Sequence, residues 1–174
     1  MLDNGPGLGY KYLKIGNKKI LIVSILGKIV GKDSDLEIKN PLIEIDNILE
    51  KEKYQQKHAI IVNYHGDYSS EKVVFGHYLD GRVTAVIGDH WHVPTHDLRI
   101  LDKGTSHITD VGMNGSLDSS LGVRLDIIYK RWKFNTKVRN ELETLGKLQL
   151  NAVSVDFDGN TMLSTSIKQI QEYY

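Results

Sequence analysis

The sequence predicts a layered α/β structure built on a mixed sheet. Three observations carry that expectation. Residues 59–64 (AIIVNY) and 83–88 are short apolar runs without alternation, the pattern of strands buried on both faces. A helical pattern stands between them, so this strand–helix–strand unit should be a right-handed crossover joining parallel strands. Both ends of the chain carry hairpin signals instead, which call for antiparallel pairs.

The elements follow in order. Residues 1–9 are rich in glycine and read as loop; with no strand before them, their glycines match neither a P-loop nor a dinucleotide fingerprint. Residues 10–15 and 19–26 are strands about a Gly16-Asn17 turn. Residues 31–40 are polar loop. Leu42, Ile45, Ile48 and Leu49 recur at helical spacing, so 41–53 is a helix, with Pro41 in the first turn where its missing N–H costs little. Ser69 or Ser70 should cap a helix over 71–79, which Asp80-Gly81 ends. Residues 99–111 read as a hairpin about Lys103-Gly104, 114–122 as loop, and 124–133 as a helix. In that helix the basic run Lys130–Lys133 is a solvated face with Trp132 half packed. Residues 148–156 and 162–170 form a last hairpin about Asp158-Gly159.

Composition narrows the function. The chain has 174 residues, which we take as one domain over 1–174. Lys and Arg number 22, as do Asp and Glu, so no net field draws in nucleic acid or an anionic membrane surface. Apolar runs are far short of a bilayer span, and no basic-then-apolar leader opens the sequence, so we expect a cytoplasmic protein. Cysteine is absent, which excludes disulfides, thiolate metal sites and a Cys nucleophile.

All 7 histidines fall between His58 and His107. His65 directly follows the first buried-type strand, and His90 and His92 follow the second. Ligands of layered α/β proteins gather at the carboxyl ends of strands, so these three should surround one crevice. In extended backbone, the i, i+2 spacing of His90 and His92 turns both rings to one side. Imidazoles suit zinc, iron, manganese or nickel. Asp67, Asp89 and Asp110 are candidate ligands or partners behind the histidines. His58, His77, His96 and His107 read as surface or hydrogen-bonded residues, and Asp97 as an ordinary loop acid.

Three blocks, at 60–72 (IIVNYHGDYSSEK), 80–101 (DGRVTAVIGDHWHVPTHDLRIL) and 104–115 (GTSHITDVGMNG), resemble the YmdB-like metallophosphoesterases of the calcineurin-like superfamily. Their order and spacing match the family, and weaker similarity covers essentially the whole chain. The resemblance implies a four-layer α/β/β/α sandwich with two divalent metal ions, iron, manganese or zinc, at the strand ends. It implies phosphodiesterase activity, with 2′,3′-cyclic nucleotides as substrates. Carried over, His65 and His90 are similar to ligands of one metal and His92 to a ligand of the other.

The departures matter as much. In the family an N-terminal segment supplies an Asp, a Glu-Asn pair and an Asn-His pair; the Glu bridges the metals and the His is the acid. No residue here matches them, so no catalytic residue is assigned. We therefore expect a partial sandwich, the C-terminal part of a metallophosphoesterase domain lacking the first strands, that holds one ion. We also expect an oligomer or a separate N-terminal fragment as partner. The alternative is a non-catalytic, truncated or split protein of the same fold that binds one metal or acts in assembly.

Overall fold

The computed structural model describes residues 7–30 and 38–174, so much of the loops expected over 1–9 and 31–40 lies outside the described residues. Strands β1 (Tyr10–Ile15) and β2 (Lys18–Leu26) pair antiparallel about the Gly16-Asn17 turn, where Gly16 takes a φ of 58°. Helix α1 (Pro41–Glu52) carries the chain to β3 (Ala59–His65), and α2 (Ser69–Tyr78) carries it on to β4 (Ala85–Asp89). β2, β3 and β4 are parallel neighbours, as two helical crossovers require. β5 (Arg99–Ile100) and β6 (Ser106–Ile108) complete a six-stranded sheet in the order β1-β2-β3-β4-β6-β5.

The core lies between one face of this sheet and the two helices. Leu21, Val23 and Ile25 of β2, Ile60, Val62 and Tyr64 of β3 and Val86 of β4 meet Ile45 and Ile48 of α1, Phe75 of α2 and Leu79, which caps the end of α2. β2 alternates buried and exposed residues, the mark of a strand covered on one face only.

A second sheet joins the first at its far edge. β7 (Gly115–Ser116) pairs with β10 (Leu148–Phe157), which pairs with β11 (Ser164–Tyr173) in a long hairpin about Asp158. The Ser164 amide donates to the Gly104 carbonyl (2.8 Å) and the Ser164 hydroxyl to the Thr84 carbonyl (2.7 Å), tying the sheets together. β8 (Ser119–Ser120), β9 (Val123–Arg124) and α3 (Leu125–Phe134) lie between.

Four expectations change. The cap of α2 is Tyr68, with no side-chain cap, because Ser69 and Ser70 already lie in the first turn. The segment 114–122 contains β7 and β8, since the long hairpin supplies an edge to which Gly115–Ser116 can add. The hairpin over 99–111 is much shorter, because beyond Ile108 the Thr109 amide turns to the Asp97 carboxylate. Trp132 is 82% exposed; α3 turns only Ile127 and Ile128 inward.

Candidate active site at the strand ends

His65 and Asp89 are the last residues of β3 and β4 and register partners across the parallel pair, so their side chains rise from the same face. His65 Nδ1 lies 2.7 Å from Asp89 Oδ1. Asn63, two residues earlier on that face, donates to the other Asp89 oxygen at 3.1 Å. Burial pushes the Asp89 carboxyl up, but hydrogen bonds from His65 and Asn63 outweigh it and hold it below the usual carboxylate range. Asp89 is therefore ionised and accepts only, so His65 Nδ1 carries the proton and Nε2 faces outward. The same bond to Asp89 raises the His65 pKa.

His90 closes on that outward nitrogen. Its Nδ1 stands 3.0 Å from His65 Nε2, the rings edge to face with centroids 4.6 Å apart. On its other side His90 Nε2 lies 2.9 Å from Asp67 Oδ1. Asp67 is fixed by donation from the Val30 amide to Oδ2 (2.6 Å) and by its own amide on the Lys28 carbonyl (2.8 Å). The result is a chain of four side chains, Asp89–His65–His90–Asp67, with a carboxylate orienting each ring from behind. A ligating histidine is held by its second nitrogen in this manner. Two metal–nitrogen bonds of about 2.0–2.1 Å to one ion set their nitrogens about 3 Å apart, so the facing pair fits two ligands of a single ion.

His92 does not join them. β4 stops at Asp89, and His90 and His92 take φ of 113° and 65°, so the extended backbone that would aim both rings together is not present. His92 is exposed, and its Nδ1 lies 3.0 Å from the Leu121 carbonyl oxygen. Among the described residues no group of three or more His, Asp or Glu is arranged to hold a metal ion.

Asp110 is fully buried and ion-paired with Lys72 at 3.2 Å. Its Oδ2 accepts from the Trp91 amide (2.7 Å) and its Oδ1 from the Gly112 amide (2.9 Å). Asp97 is more than a loop acid: its carboxylate accepts from the Thr95 and Thr109 hydroxyls and the Thr109 amide. Burial alone would raise its pKa, but these bonds hold it low. His58 fits the structural expectation, Nδ1 accepting from the Lys19 amide at 3.0 Å. His107 does not: it is buried, and among the described residues neither ring nitrogen has a hydrogen-bond partner.

Sequence reasoning missed Asn63 and Lys72. Asn63 had a signal, as a lone amide near the end of an apolar strand. Lys72 closes the first block that resembles the family, but nothing local marks it as buried, because a lysine early in a helix reads as solvated; here its side chain is 1% exposed.

A family model described as YmdB-like protein matches residues 1–170. The chain is 37% identical over 168 residues to a 2′,3′-cyclic-nucleotide 2′-phosphodiesterase of Bacillus subtilis (strain 168), covering 97% of this chain and 61% of that protein. Among solved structures it resembles a hypothetical protein from Thermus thermophilus, with a TM-score of 0.86, 30% identity, and 98% of this chain and 64% of that one covered. It also resembles a novel phosphatase from Mycoplasma pneumoniae, with a TM-score of 0.84, 30% identity, and 96% and 58% covered. The chain spans 53–61% of the length of the curated relatives it matches. Among the described residues no helix is long and apolar enough to cross a membrane.

Proposed function

The chain belongs to the YmdB-like protein family, and on that premise we propose that it carries the histidine-rich part of a metal-dependent phosphodiesterase site. The observation that supports this most is the facing pair His65 and His90, each braced from behind by a carboxylate. His65 Nε2 and His90 Nδ1 would hold one divalent ion, iron, manganese or zinc, and His92 is the candidate ligand of a second. Such an ion polarises a phosphoryl oxygen and acidifies bound water. Asp89 fixes the His65 tautomer, Asp67 does the same for His90, and the Trp91 indole, donating to the Asp67 carbonyl at 3.0 Å, closes the loop over them. The substrate class is a phosphodiester, 2′,3′-cyclic nucleotides first. The family's bridging Glu and acidic His match no residue here, so we propose that a further segment of the four-layer sandwich supplies them.

A second reading, the non-catalytic protein, is favoured by His92 turning to the Leu121 carbonyl. One assay separates the two: manganese-supported hydrolysis of 2′,3′-cyclic AMP and bis(p-nitrophenyl) phosphate by the 174-residue chain. It is run alone and with the family's N-terminal segment added in trans. We expect slow turnover alone, a large gain on addition, and loss of that gain in His90→Ala and His92→Ala. No gain, with at most one ion bound per chain, establishes the non-catalytic reading.

A further inference from the structure

We propose that Lys72 is a positioning residue, clamping the main chain on both sides of His90 so that its ring faces His65. The proposal rests on the reading of His65 and His90 as a metal-binding pair. Lys72 Nζ donates to the Asp89 carbonyl (2.6 Å), the peptide group before His90. It also ion-pairs with Asp110, whose Oδ2 accepts from the Trp91 amide, the peptide group after His90. The ammonium lies 4.1 Å from the centroid of the Trp91 ring, which covers it. One buried cation thus reaches both flanking peptides of a residue whose φ is 113°.

That conformation needs a clamp. A β-carbon is crowded by its own backbone at positive φ, and such a residue persists only where its surroundings over-determine it. Both carboxylates beside the histidines act on side chains, whereas Lys72 and Asp110 act on the backbone that aims one of them. Burying a lysine also costs folding free energy unless the charge is paired and hydrogen-bonded. Stability alone gives little reason for it, since an apolar residue of the same volume is often as good there.

The test uses the full chain with Lys72→Met, which keeps the volume and removes the cation. Asp110→Asn serves as a second variant should the first not fold, and Ile48→Ala as a core control chosen to lower Tm to a similar extent. Two readouts are taken well below Tm: histidine ring 15N–1H correlations, and titration with cobalt(II) alone. We expect Lys72→Met to shift the His90 ring signals and to weaken cobalt binding at least tenfold, while Ile48→Ala leaves both as in the wild type. Unchanged ring signals and cobalt affinity in Lys72→Met overturn the clamp, as does an equal loss in Ile48→Ala. If the wild-type chain binds no cobalt, the metal reading fails and the ring signals alone decide the clamp.

Discussion

His107 shows how far one residue's role depends on what the fold places around it. It sits on β6 against Gly76 of α2, where a β-carbon would stand 2.6 Å from its Nδ1. Burial pushes its pKa down, with the Asp97 charge opposing. The folded state therefore resists the proton that the unfolded chain accepts near pH 6.5. Its contribution to stability is fully present above about pH 6.5 and is lost as pH falls below that value. Unfolding midpoints in urea, measured from pH 7.5 down to 5, should fall more steeply for the wild type than for His107→Leu. Equal slopes in the two proteins would show that His107 does not resist protonation. Nothing in the tripeptide Ser106-His107-Ile108 distinguishes it from an exposed histidine, whereas His65 and His90 were legible because each follows an apolar strand. His92 was not, because its aim hangs on two left-handed residues, and a backbone angle fixed by a buried lysine on another element leaves no local trace.

At the scale of elements, the strands and helices that build the site were readable because their apolar periods agree with their surroundings. AIIVNY is a strand buried between neighbours, and the pattern Leu42, Ile45, Ile48, Leu49 turns one face of α1 to the sheet. Helix starts were less readable, since several residues of capping type compete. Asn40 caps α1, its Oδ1 accepting from the Leu42 amide at 2.9 Å with Pro41 in the first turn. Ser69 and Ser70 are inside α2, after a cap that uses no side chain. Asn40→Ala should therefore cost about 1 kcal/mol, within the roughly 0.5–2 kcal/mol range of lost caps. Ser70→Ala should stay within about 0.5 kcal/mol of the wild type, like other exposed substitutions. Chemical denaturation of the two variants side by side measures the difference. An equal cost for both would mean that Ser70 caps α2 in solution.

At the scale of the whole molecule, the two faces of the large sheet differ, and the candidate site stands on the less covered one. Helices α1 and α2 cover the face that carries Leu21, Val62 and Tyr64. The register puts Leu13, Ile15, Ile20, Ile22, Ile61 and Ile87 on the other face, with His65 and Asp89 at its upper end. Leu13 is 48% exposed, Ile15 59% and Ile22 37%, while Ile61 and Ile87 are half-buried. Scattered apolar residues on a surface need no explanation, but neighbours on two paired strands form a patch of the kind that marks an interface or drives association. Among the described residues β1 is the outermost strand on that side, and its edge is a second route to pairing. The isolated chain should therefore associate in a concentration-dependent way, as expected of a sheet face that the sequence marks as apolar and the described residues leave uncovered. Ile22→Lys places a charge in the middle of the patch, and its side chain projects away from the core, so the fold should be retained. Sedimentation velocity across a hundredfold range of concentration should show the wild type moving to larger species and Ile22→Lys remaining monomeric, with matching far-ultraviolet circular dichroism. A wild type that stays monomeric throughout would remove the face as an interface between copies. The metal-site reading would be untouched, because it rests on His65 and His90 and on the carboxylates behind them.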